Sequence, residues 1–176
     1  VTIVRARFTT GAGGPAASRA ALRYAVLRPD RDGQRVERAV FCPDGLDVAS
    51  IRAQLDAARG DHYRLMLNAG AGQQEVDQRD WTRDVMAAVA ESQGAEVPWL
   101  AVEHRNHARH DHVHIVAATE RRLTRADLYT LREVADLSWE RHADWARALD
   151  LDAVQEPDQR QPERLRALAR TGEWER

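Results

Sequence analysis

The sequence predicts a single domain in which helices and strands interleave, of α+β or α/β class. Three observations lead there. At 176 residues the chain has room for one domain. Its hydrophobic pattern switches several times between strict alternation and helical stripes. Glycine-, proline- and aspartate-rich turns separate the segments. Apolar residues make up 43% and charged residues 31%, in the range of globular proteins. A chain of this length buries a core without disulfides. No apolar run approaches the 18 residues or so of a membrane span. Val1 to Arg5 alternates with charge and reads as a strand, not a signal peptide. The start at Val1 instead of Met suggests a segment of a longer protein. The single cysteine, Cys42, allows no internal disulfide and fits a reducing compartment. A cytoplasmic location is therefore expected, and Cys42 is expected to be passive.

Thr2 to Thr10 alternates and is the first expected strand. Gly11 to Pro15 is a loop. Ala16 to Leu27 is rich in helix formers, with Ala20, Tyr24 and Leu27 near one face. Arg28 to Gly33 is turn chemistry. Val36 to Phe41 reads as a short strand. Asp47 is placed to cap a helix running to about Arg59. Tyr63 to Leu67 is a compact strand, followed by a loop at 69–72. Asp77 to Gln93 is amphipathic, with Trp81, Val85, Met86 and Val89 on one stripe, and Gly94 ends it. Val97 to Glu103 and His112 to Thr119 are the strongest strand candidates. Thr124 to Ala148 is a long helix whose Thr124 and Asp127 have capping-box spacing. Residues 1–150 form the expected domain. A polar linker at 157–162 and a short terminal helix, 163–170, lie in the remaining 151–176.

All 26 basic residues are arginine, and the net charge is −2. The chain is therefore no basic nucleic-acid coat, although arginine forks onto phosphates as lysine cannot. Charge is uneven. Residues 1–60 carry 10 arginines against 6 acids, and residues 61–120 carry 5 against 10. A basic N-terminal face is compatible with this pattern.

Five of the seven histidines fall within eleven residues: His104, His107, His110, His112 and His114. In a strand, residues i and i+2 share a face, roughly 7 Å apart. His112 and His114 then point together, and Val113 and Ile115 point into a core. If the two flanking strands form a hairpin, His104 joins the pair. Three imidazoles from adjacent strands make a divalent-metal site with coordination positions left open. The bland alternative is a solvated polar face. Repulsion between neighbouring protonated histidines argues against it.

The stretch Trp99 to Asn106, followed by His112-Val113-His114-Ile115-Val116, resembles the third motif of conjugative relaxases. These are HUH endonucleases of the plasmid-mobilisation (MobP) type. Tyr63 to Asn68 is similar to the family's central strand, with Asn68 where that strand usually ends in Ser. Trp81 to Met86 resembles the helix that follows. Leu22 to Arg28 resembles the first motif, which carries the nucleophilic tyrosine. The likeness covers about residues 1–150. Asp111 stands where the family usually has Pro, and the acid that supports a ligating histidine has only Asp111 and Glu103 as candidates.

The resemblance implies an α+β fold: an antiparallel sheet of about five strands flanked by helices, with the HUH strand central. It implies that His104, His112 and His114 hold a divalent metal, Mg²⁺ or Mn²⁺; an imidazole set also suits Zn²⁺. It implies that Tyr24 attacks a phosphodiester at an origin of transfer, leaving a 5′-phosphotyrosine and a free 3′-hydroxyl. A free tyrosine ionises near pH 10, so such a nucleophile needs activation. Arg5, Arg7, Arg19, Arg23 and Arg28 are candidate phosphate contacts, and Asn106 is a candidate DNA contact. The implied partners are single-stranded DNA, accessory relaxosome proteins and a type IV secretion coupling protein, without membrane insertion. Three alternatives stay open. A rolling-circle initiator or transposase places its tyrosine after the histidines, where Tyr129 lies. A binding module would hold single-stranded DNA without cutting it. A His₃ hydrolase would act on small molecules.

Overall fold

The structure, a computed structural model, describes residues 3–30, 32–68, 76–105 and 111–155. Among the described residues, five strands form one antiparallel sheet: β1 (Ile3–Thr9), β2 (Val40–Phe41), β3 (Asp61–Asn68), β4 (Trp99–His104) and β5 (His112–Thr119). Their order across the sheet is β1-β3-β5-β4-β2. Four α-helices accompany them among the described residues: α1 (Gly14–Leu27), α2 (Val48–Ala57), α3 (Gln78–Gln93) and α4 (Arg125–Gln155). The class is α+β, as expected. Among the described residues, no helix is long and apolar enough to cross a membrane.

Local chemistry sets most helix ends. The Asp47 carboxylate accepts from Ser50 N at 2.9 Å and starts α2. Asp77 accepts from Arg79 N at 2.8 Å and starts α3. Gly94 ends α3 with φ +65°, a left-handed conformation that favours glycine. Thr124 and Asp127 form the expected reciprocal cap: Thr124 N donates to Asp127 Oδ2 at 2.7 Å, and Asp127 N donates to Thr124 Oγ1 at 3.1 Å.

Two expectations change. The segment 36–41 pairs only at Val40 and Phe41, opposite Val102 and Ala101. It lies at the edge of the sheet, next to β4. Helix α4 runs to Gln155, past the expected end at Ala148; Leu149 and the residues after it still favour helix. Ala20, Tyr24 and Leu27, which lie near one face of α1, are exposed. Gly14, Ser18, Leu22 and Ala25 are buried instead. The linker and terminal helix expected beyond 156 lie outside the described residues.

The sheet is the middle of three layers. Tyr63, Leu65, Val113, Ile115 and Ala101 face α3 and α4, where Trp81, Val85, Met86, Val89, Leu131 and Ala135 complete a core. Trp81 donates Nε1–H to Ala135 O at 2.9 Å and stacks edge-on against Trp139. On the other face, Leu100, Val102, Val116 and Ala118 meet Leu22, Ala25, Ile51 and Leu55 of α1 and α2. The central strand β5 is buried on both faces, which explains its near-continuous apolar run. Tyr63, Trp81, Trp99 and Cys42 are all buried.

His62, which has no motif around it, is a structural staple. It is buried on β3. A carbonyl can only accept, so His62 Nε2–H donates to Ala58 O (3.4 Å), and Nδ1 accepts from Ser18 Oγ at 2.9 Å. One ring thus ties α1 and the end of α2 to the sheet. A Cβ at Gly14 would overlap this ring. Gly14→Ala is expected to destabilise the fold by about 1–3 kcal/mol, seen as a lower urea midpoint. An unchanged midpoint would refute the close packing.

Candidate metal centre

Antiparallel pairing of β4 and β5 places His104 directly opposite His112 and Val102 opposite His114. All three histidines therefore lie on the α1 face of the sheet, at one end of the two central strands. Their ring centroids form a nearly equilateral triangle: 5.0 Å for His104–His112, 4.7 Å for His104–His114 and 4.9 Å for His112–His114. One nitrogen from each ring lies within 4.8 Å of the others. His104 is fully buried, His112 nearly so, and His114 half-buried.

Helix α1 fixes the orientation of His104. The carbonyls of a helix's last turn have no partner inside the helix. One of them, Ala25 O, lies 2.7 Å from His104 Nε2. Nε2 must therefore carry the hydrogen, and in the neutral ring Nδ1 carries the lone pair. A backbone carbonyl thus supplies the support that ligating histidines commonly receive from outside the metal shell. The negative end of the α1 dipole also points at this corner and favours a cation there.

The electrostatics keep His104 neutral. Burial pushes its pKa down to about 3, helped by the neighbouring His114, Arg38 and His112; the bond to Ala25 opposes this. A neutral imidazole is the form that binds metal.

The donor set fits a metal ion. With a metal–nitrogen distance of about 2.0–2.1 Å, three imidazoles on one ion put their ring centres about 4.5 Å apart at right-angle geometry and about 5.2 Å apart at tetrahedral geometry. The observed triangle of 4.7–5.0 Å falls between these limits. The three histidines lie close together and could bind a metal.

Other predicted residues are distributed unevenly. Tyr24 is 56% exposed on α1, one residue before Ala25, with the Arg28 guanidinium 5.3 Å above its ring. Arg23, Tyr24, Leu27 and Arg28 line a shallow depression of about 690 Å³. Among the described residues, no hydrogen bond or ring contact joins Tyr24 to the histidines. Arg19 is held by Asp56 at 2.6 Å. Asn106, His107 and His110 lie outside the described residues. Glu103 is not the acid supporting a histidine: strand alternation turns it to the α3 face, where it pairs with Arg79 (2.9 Å) and Arg105 (3.0 Å). Asp111 immediately precedes β5, next to His112, and burial raises its pKa against the opposing pull of Arg105 and His112. Tyr129 is on α4, which packs on the opposite face of the sheet from the histidines.

Arg38 was not among the predicted residues. It precedes β2 by two positions and donates to Arg28 O at 2.6 Å, at the end of α1, and its charge is felt at His104. No local motif marks it, because only the strand order brings β2 beside β4.

No protein-family model matches this sequence, and no curated protein is significantly similar to it. The geometry of the site therefore carries the functional reading.

Two outcomes are expected. Stepwise Mn²⁺ or Zn²⁺ should raise the melting temperature, by about 2.7 kcal/mol of stabilisation at 100-fold excess over Kd. His112→Ala and His114→Ala should lose that rise; no rise in the wild type would exclude the metal centre. In EDTA, acid should destabilise the fold between about pH 6.5 and about pH 3. In that window the unfolded His104 takes a proton that the folded one refuses, so its contribution is intact above pH 6.5 and lost as pH falls. Urea titrations should show a shallower loss in His104→Gln; equal slopes would refute the buried neutral ring.

Proposed function

We propose that this chain is a metal-dependent DNA-nicking enzyme of relaxase type, cutting single-stranded DNA at an origin of transfer through Tyr24. The observation that carries this reading is the 2.7 Å bond from His104 to Ala25. It joins the histidine triad to the helical turn that bears Tyr24. The antiparallel sheet with the His-x-His strand at its centre also supports it.

The chemistry follows from the groups present. A phosphodiester repels nucleophiles because its oxygens are negative. A bound divalent ion, Mg²⁺ or Mn²⁺ by the resemblance, would offset that charge and its increase during attack. Tyr24 Oη forms a bond to phosphorus while the P–O3′ bond breaks. The phenol loses a proton and O3′ gains one, leaving a 3′-hydroxyl and a 5′-phosphotyrosine. The ester preserves the phosphoryl linkage for rejoining. Arg23, Arg28 and Arg38 surround this end of α1 and are suited to hold phosphates. Arg19, engaged with Asp56, is not. The position of Tyr129 on the far face weighs against an initiator-type order. Relaxosome proteins and a coupling protein are the partners this reading brings.

A second reading has one observation in its favour. Tyr24 is exposed and pairs with Arg28, an arrangement that also serves as a platform for base stacking. The chain would then bind single-stranded DNA without cutting it. A covalent-adduct assay separates the two. With Mn²⁺ and a diverse pool of single-stranded DNA, the wild type should give a protein–DNA adduct on a denaturing gel. Tyr24→Phe and EDTA should abolish it, and Tyr129→Phe should not. An adduct that survives Tyr24→Phe would refute the assigned nucleophile. Metal and DNA binding without an adduct would favour the binding module.

A further inference from the structure

The α1 face of the sheet is only partly covered. Beside His114 in the same register row stand Met66 on β3 and Arg5 on β1. One row further on, Arg7 faces Arg64 directly. Arg5, Arg7 and Arg64 are all exposed. Among the described residues none of them is ion-paired with a carboxylate; Arg64 has a 3.4 Å bond to Thr9 Oγ1. Alternation puts no acid on this face of β1 or β3, and α1, which borders it, contains no acid either.

The Arg7–Arg64 pair is the telling feature. Like charges directly opposite in a sheet are destabilising, by up to about 1 kcal/mol. Charges on an edge strand discourage aggregation, which would account for Arg5 and Arg7. It does not account for Arg64, which is on an interior strand. A polyanion lying across the face turns this repulsion into attraction. Among the described residues, many arginines elsewhere meet carboxylates, whereas these three do not.

We infer that Arg5, Arg7 and Arg64 form a phosphate track that carries single-stranded DNA across β1 and β3, over Met66, to the histidine centre. This deepens the nicking reading and rests on it for the identity of the polyanion. With Arg23, Arg28 and Arg38 on the other flank, the strand straddles the centre.

The test is the salt dependence of binding to a labelled single-stranded DNA of mixed sequence, read by fluorescence anisotropy. Each lost phosphate contact lowers the slope of log K against log salt by about 0.7. The triple variant Arg5→Gln, Arg7→Gln, Arg64→Gln should lower it by about 2. An equal removal of charge from α4 (Arg125→Gln, Arg132→Gln, Arg147→Gln) should leave it unchanged. Arg64→Glu is the second variant: opposite Arg7 it should raise the melting temperature while weakening DNA binding at least tenfold. A weakened variant that is also more stable cannot be explained by misfolding. Equal slopes in the wild type and the sheet-face triple, or equal losses in both triples, would overturn the track. So would a wild type that does not bind this DNA. An adduct with unchanged slopes would refute the track and leave the nicking reading standing. Reduced slopes without any adduct would do the reverse.

Discussion

The register between β4 and β5 is the constraint on which the site depends. His104 lies opposite His112, and Val102 opposite His114. Slipping one strand by one residue would turn its whole side-chain set to the other face. That slip would bury His104 against α3 and expose Trp99 and Ala101 to the wrong core. The same apolar residues that hold the register therefore hold the histidine triangle. Leu100 and Val102 belong to one core, Trp99 and Ala101 to the other. Rigid elements on both faces give the imidazoles little freedom to separate, which is what a metal site needs.

Helix α1 couples this triangle to the surface. Its last turn has carbonyls to satisfy, and two chemically different groups near the site do so. His104 donates to Ala25, and Arg38 donates to Arg28. The helix end is thus capped by the site, and the site is oriented by the helix end. At its other end, α1 is held by His62 through Ser18 and by the close approach at Gly14. Tyr24 sits between these anchors, exposed on a backbone that cannot shift without disturbing His104.

The net charge of −2 conceals a local asymmetry. Acids are spent on ion pairs elsewhere: Asp61 with Arg122, Asp84 with Arg141, Asp127 with Arg121. Among the described residues, the α1 side keeps cations without such partners on β1, on β3 and at the end of α1. Potentials at a surface follow the nearby charges, since screening removes those more than about 10 Å away. An acidic chain can therefore present a basic face to a polyanion.

Elements with a strong period or a local cap were legible in the sequence alone. The bounds of β5, the buried stripe of α3, and the caps at Asp47 and Thr124 are all short-range chemistry, written in neighbouring residues. So was the sharing of one face by His112 and His114, because strand alternation is local. The joining of His104 to them was conditional on a hairpin, and pairing decided it. What remained hidden depended on partners distant in sequence. The buried face of α1 was not legible, because Ser18 and Gly14 are buried for a reason 44 or more residues away, at His62. Arg38 and Arg64 acquired meaning only from strand order, which sets their neighbours. The sequence determined which segments fold and which side chains leave each strand together; the tertiary structure decided which segments meet, because that choice belongs to the packing of two cores at once and to no single stretch of chain.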